Sequence, residues 1–187
     1  MKRSPTKMLC RAGIVAALYV VLTWPLGALA FGTLGFQIRP AEALTMLPLF
    51  YPEAIPALYV GCLIANIITG NVWDIGLGSL CSLVAAALTW VAGRFIKNTP
   101  LKLIVGGIFP VRVNAFVIPL VLILGGSAYA AYWFMFASLL LTQAVWVYGL
   151  GVPLYFGIRA LRRKGISAFC DNKTGEKLDG AATERKN

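Results

Sequence analysis

No charged side chain occurs between Arg11 and Arg39, between Glu53 and Asp74, between Asp74 and Arg94, or between Arg112 and Arg159. Each of these runs reaches about the 20 residues that a helix needs to cross ~30 Å of hydrocarbon. Composition agrees: 59% apolar and 13% charged side chains, with a mean hydropathy of +0.77, are too apolar for an ordinary water-soluble domain of 187 residues. The fold class this predicts is an all-α integral membrane protein that crosses the bilayer several times.

The net charge of +10 raises the question of nucleic acid, but its distribution answers it. Lys2, Arg3, Lys7 and Arg11 precede the first apolar run, Arg94, Lys97 and Lys102 separate two later ones, and Arg159, Arg162, Arg163 and Lys164 follow the last. Cationic loops of this kind stay in the cytoplasm. Both termini are therefore expected inside, the number of crossings is even, and nucleic acid is not the partner.

Six crossings are expected. The first apolar run, about Leu9 to Ala30, resembles a secretory signal with a cleavage site at Ala28-Leu29-Ala30, but it is long for one and reads better as an uncleaved helix. Its Ala12-x-x-x-Ala16 spacing makes a smooth face for another helix. Later crossings are expected over Asp74 to Gly93, Leu101 to Leu124 and Tyr129 to Ile158, with Gly125, Gly126 and Ser127 turning the chain between the last two. Residues 1–164 then form one membrane domain. From residue 165 to 187 the chain is polar, mixed in charge and expected to be disordered.

Two crossings must fit between Pro40 and Val72. An α-helix from Pro40 to Tyr51 would span only ~18 Å, so this leg must be short, tucked against its neighbours, or tilted. Pro40 suits a first helical position, Pro48 should kink the leg, and Pro52 and Pro56 frame the turn into the next helix.

Polar residues in such a setting are candidates for function. With Pro40 opening a helix, Glu42 lies in its first turn, close enough to pair with Arg39. The pair serves either to hold a loop at the membrane surface or to recognise a polar ligand, and ionisable groups at membrane depth favour function. Asn66 and Thr69 share a face, and Asp74 begins the next crossing at the outer level expected for Arg39 and Glu42. Glu53 belongs to the opposite, cytoplasmic turn and takes no ligand role. Gly78 and Ser82 read as helix-packing residues. Arg112 and Asn114 fall in mid-crossing, where a guanidinium should face the interior of the bundle. Phe136, Gln143 and Trp146 follow one side of the last crossing. Tyr129 and Tyr132 suit an interfacial belt, while Trp133 and Trp146 suit stacking on a flat ligand.

The chain has no histidine, and Cys10, Cys62, Cys81 and Cys170 show no C-x-x-C spacing, so neither a haem nor the usual zinc site is expected. No P-loop or nucleophile elbow is present. The chain reads as a binder, conductor or scaffold with no cofactor, not as an enzyme.

The stretch GFQIRPAEALTMLPLFYPEAIPALYVGCLIANI, Gly35 to Ile67, followed by DIGLGSLCSLVAA from Asp74, closely resembles the QueT family. R-x-x-EAL-x-x-LP and PEAIP are its most specific parts, and the likeness runs from Leu9 to Phe156. These are the substrate-capture (S) components of energy-coupling factor (ECF) transporters assigned to queuosine precursors. The resemblance implies six transmembrane helices in the cell membrane of a prokaryote, with a short, kinked second helix. It also implies an outer-half site for a 7-deazaguanine: preQ0, preQ1, queuine or queuosine. Residues expected to line it are Gln37, Arg39, Glu42, Asn66, Asp74, Arg112, Asn114, Trp133, Gln143 and Trp146. Ala12 and Ala16 are expected to contact a transmembrane coupling subunit that carries two ATPases.

Two positions depart from the family pattern. Thr142-Gln143 stands where the family has Gly-Glu, and Arg112 where it has an apolar residue. Both make the cavity more positive, which points to a neutral or different congener, such as preQ0 or the nucleoside, over preQ1 or queuine. Other readings keep the S-component fold with a different vitamin, or make the chain a small membrane scaffold without a ligand.

Overall fold

The computed structural model describes residues 5–25, 39–70, 72–126 and 131–166. Among them there is no strand. The elements are α1 (Pro5–Thr23), a 3₁₀ helix (Pro40–Leu49), α2 (Ala54–Thr69), a π turn (Asp74–Gly78) running straight into α3 (Ser79–Phe95), α4 (Thr99–Leu124), α5 (Tyr132–Gly149) and α6 (Gly151–Arg163). The stretches Pro5–Thr23, Asp74–Phe95, Thr99–Leu124 and Tyr132–Arg163 are each long and apolar enough to cross a membrane, and α2 is apolar but shorter. The chain is an all-α membrane bundle.

At its centre lies the expected short leg, in an unexpected form. Rather than a kinked α-helix, Pro40–Leu49 is a 3₁₀ helix, and every residue from Pro40 to Pro48 is buried. At ~2.0 Å per residue it gains about a third in reach over an α-helix of equal length. With three residues per turn, its side chains sort into three columns. Ala41, Leu44 and Leu47 pack with Tyr19 of α1 and Leu58 of α2. Met46 and Leu49 pack with Val111 of α4 and Val147 of α5. Glu42 and Thr45 share the remaining column, where the Thr45 hydroxyl donates to the Glu42 carbonyl at 2.6 Å.

Small residues on the surrounding helices admit this central rod. A Cβ at Gly93 would lie 3.1 Å from Leu49 Cα, one at Gly106 3.0 Å from Leu49 Cδ2, and one at Gly151 2.8 Å from Met46 Cγ. Gly151 also bears on a boundary. The last apolar run is not one helix over Tyr129 to Ile158: it breaks at Leu150 into α5 and α6, and α6 continues to Arg163. Pro153 has no N–H to donate to the Gly149 carbonyl, and Gly149 and Gly151 weaken the helix on either side of the break. Likewise α1 closes at Thr23, two residues before Pro25, instead of continuing to Ala30. Ala28 to Ala30, Ser127, Tyr129 and the tail from residue 167 lie outside the described residues.

Gly61 of α2 is the contact point for α1. A Cβ there would meet Tyr19 Cβ at 2.8 Å and the Ala16 carbonyl oxygen at 3.0 Å. Gly61→Val is therefore expected to lower stability by about 1–3 kcal/mol through overpacking. Gly13→Ala, on the open side of α1 with nothing within 4 Å, should not. Thermal unfolding of both variants in detergent checks this.

Candidate ligand-binding site

Six of the residues expected to bind a ligand are buried together: Arg39, Glu42, Asn66, Asp74, Asn114 and Gln143. They come from five different elements, and two connected clusters organise them.

The first is built on Glu42, which is 1% exposed. The 3₁₀ helix delivers its carboxylate into the bundle, where Oε2 accepts from Asn114 Nδ2 of α4 at 3.0 Å. Oε1 accepts from the Tyr19 hydroxyl of α1 at 3.3 Å. Gln143 of α5 also hydrogen-bonds to this carboxylate, while its own Oε1 is buried with no hydrogen-bond partner among the described residues. A buried carboxylate ringed by amide and hydroxyl donors stays charged only while those donors hold it.

The second cluster is built on Asp74, which is fully buried. Arg39 Nη2 donates to its Oδ2 at 3.2 Å. Asn66 ties the end of α2 to the start of the next crossing, since its Nδ2 donates to the Asp74 carbonyl at 2.7 Å and to Ser79 Oγ at 3.3 Å. The π turn gives the backbone an extra residue here, a device often found where a helix is shaped for function. Gly78 completes the arrangement: a Cβ at this position would overlap the Asp74 carboxylate. Its expected packing role therefore has a particular object. The predicted Arg39 and Glu42 neighbours share this interior, where Arg39 is ion-paired to Asp74.

Three residues do not join them. Arg112, expected to face inward, is exposed on the outer side of α4, because Asn114 and Val111 take the inward positions of that turn. Trp133 is 70% exposed and makes edge contacts with Tyr132 and Phe136. Trp146 is half-buried on α5. Gln37 lies outside the described residues.

Tyr19 was missed as a site residue. It lies in the first apolar run, where one hydroxyl among hydrocarbon neighbours looks like ordinary packing, and only the fold brings it to Glu42. Ala12 and Ala16, expected to meet a partner, are half-buried, and Ala16 packs on Gly61 of this chain. The exposed small residues of α1 are Gly13 and Ala17.

Glu53 sits at the opposite end from the site, as expected, yet it is buried. Arg11 Nη1 donates to its Oε1 at 2.9 Å, and the same guanidinium lies over the Tyr51 ring at 4.6 Å. Arg162 of α6 covers Phe50 at 5.5 Å and Tyr51 at 5.7 Å. This knot fixes the turn between the 3₁₀ helix and α2, and so holds the base of the element that carries Glu42.

Cys10, Cys62 and Cys81 are free thiols, and among the described residues no cluster of acidic or sulfur side chains could hold a metal.

Comparison with known proteins agrees with this picture of a membrane protein. One curated relative, the queuosine precursor transporter QueT of Lactococcus lactis subsp. cremoris (strain MG1363), is 36% identical over 88 residues, which is 47% of this chain and 52% of the relative. The matched stretch thus spans about half the length of that protein. No solved structure matches the chain. The model of the QueT transporter family matches residues 9–160, a span that contains every described residue of both buried clusters, and the chain belongs to that family.

Proposed function

We propose that the chain is the substrate-binding membrane subunit of an ECF-type importer for a queuosine precursor or related 7-deazaguanine. The observation that carries this reading is the buried group of Glu42, Asn114 and Gln143, in which Gln143 Oε1 is an acceptor with no donor among the described residues. A buried acceptor left without a donor costs about 1–3 kcal/mol, so an N–H brought by a ligand is stabilising there. A 7-deazaguanine carries what this group needs. Its ring N–H and exocyclic amine lie side by side and donate in parallel to a carboxylate such as Glu42. Its carbonyl accepts from an amide such as Asn114, and Gln143 Oε1 takes a further N–H. Tyr19, which packs against this group, offers apolar ring surface.

With Arg112 outside the bundle, the choice among congeners rests on Gln143. A glutamine in place of a carboxylate offers no counter-charge to an aminomethyl cation, which favours preQ0 over the amine-bearing congeners preQ1, queuine and queuosine. The basic loops support cytoplasmic termini, and uptake would run from outside inward through a coupling subunit and two ATPases.

The test is mass spectrometry of small molecules released from the detergent-purified protein after expression in cells supplied with preQ0, preQ1, queuine and queuosine. Retention of preQ0 is the expected result. Recovery of another vitamin would overturn the substrate, and preferential retention of preQ1 would overturn the role given to Gln143. A chain that folds and retains nothing with any of these compounds fits the scaffold reading instead.

A further inference from the structure

We infer that the outer face of α4 around Arg112 is a docking surface for a transmembrane helix of a different chain that carries a carboxylate at the same depth. Arg112 stands thirteen residues after Thr99 and twelve before Leu124 in α4, so about 20 Å and 18 Å of helix lie on its two sides. It is thus near the centre of a ~30 Å hydrocarbon layer, with headgroups about 15 Å away in either direction. The side chain is exposed. It lies in a stripe at four-residue steps with Ile104, Phe116 and Leu120, which are 53%, 51% and 48% exposed. The stripe is what a lipid-facing helix needs, apart from this one cation.

A guanidinium in hydrocarbon is costly and pairs with an anion when it persists. Among the described residues no carboxylate pairs with Arg112. One turn further along α4, the Phe116 carbonyl already accepts from the Tyr132 hydroxyl at 2.9 Å. Lipid phosphate is a poor source, because the mid-layer position lies far from either interface and a lone side chain snorkels only from near a helix end. A second copy of this chain is also a poor source. Of its seven acidic residues, Glu42, Glu53 and Asp74 are buried within the fold. The other four, Asp171, Glu176, Asp179 and Glu184, belong to the polar sequence after the last apolar run. The remaining source is an intramembrane carboxylate on another protein. This inference does not depend on the ligand or on transport.

The experiment uses the full chain in its native membrane, with a photo-crosslinking residue in place of Phe116. A membrane protein should be captured through a helix with a mid-span Asp or Glu. Arg112→Glu should reduce that cross-link at least tenfold, Arg112→Lys should reduce it less, and exchanging the partner's carboxylate for arginine should restore it in the Arg112→Glu background. In the isolated chain, Arg112→Leu should leave thermal stability unchanged or raised. Adducts to lipid or to a second copy, absence of any protein adduct, failure of the reciprocal exchange, or a less stable Arg112→Leu chain would each overturn the proposal.

Discussion

Glu42→Gln is expected to weaken the proposed deazaguanine binding by about a hundredfold or more, while the protein still inserts and elutes as a single species in detergent. The substitution keeps the shape of the side chain and its room in the 3₁₀ helix, so the packing of Ala41, Leu44 and Leu47 on α1 and α2 is untouched. What changes is the acceptor. A carboxylate can take two N–H groups from a ligand, each such charge-assisted bond being worth about 1.5–3 kcal/mol. A neutral amide takes fewer bonds and turns a donor toward the ligand, and every ~1.4 kcal/mol lost is tenfold in affinity. Isothermal titration with the retained congener reads the change. Equal affinity in Glu42→Gln would remove the carboxylate from the site. Loss of folding in place of binding would mean that Tyr19 and Asn114 hold Glu42 only to build the bundle, as a scaffold requires.

How much of this was legible beforehand differs from residue to residue. The bundle was, because runs free of charge over bilayer length leave few alternatives. So was the burial of six candidate residues, for Arg39, Glu42, Asn66, Asp74, Asn114 and Gln143 are polar groups with no reason to be in hydrocarbon unless partnered. The 3₁₀ winding of Pro40–Leu49 was not. Periodicity reveals a helix type when one face is wet and another dry, and this element is buried on every side, while its one polar pair, Glu42 and Thr45 at i,i+3, suits an α-helix as well as a 3₁₀ helix. Arg112 failed for a related reason. It stands two positions before Asn114, which is about 200° around an α-helix, so both cannot face inward. The sequence shows that one of them must look outward but not which, and the amide, with Glu42 to bond, took the interior. Trp133 shows the limit of arguing from residue type: an aromatic suits a ligand or an interface equally well, and its position at the start of α5 made it peripheral.

The largest loss of stability is expected from Asp74→Ala. Breaking a buried ion pair from one side costs about 3–5 kcal/mol, because the remaining charge keeps its desolvation penalty without its counter-charge. Here the remaining charge is the Arg39 guanidinium, which meets Asp74 at 3.2 Å and is itself buried. Gly78→Ala reaches the same contact from the other side, since its new methyl would stand 3.0 Å from the Asp74 Cγ and closer still to the carboxylate oxygen. The carboxylate must turn away from Arg39 to make room, so this one-carbon change should cost a sizeable part of what Asp74→Ala costs. The two substitutions then disrupt the same interaction and cannot add. Once Asp74 is alanine, the methyl at position 78 has no carboxylate to displace, and the double variant should be about as stable as Asp74→Ala alone. Unfolding of the four proteins in one detergent closes the cycle. Additive losses would show that Gly78 is small for helix packing alone, whereas a coupling of ~1 kcal/mol or more would make it the residue that lets the π turn present Asp74 to Arg39.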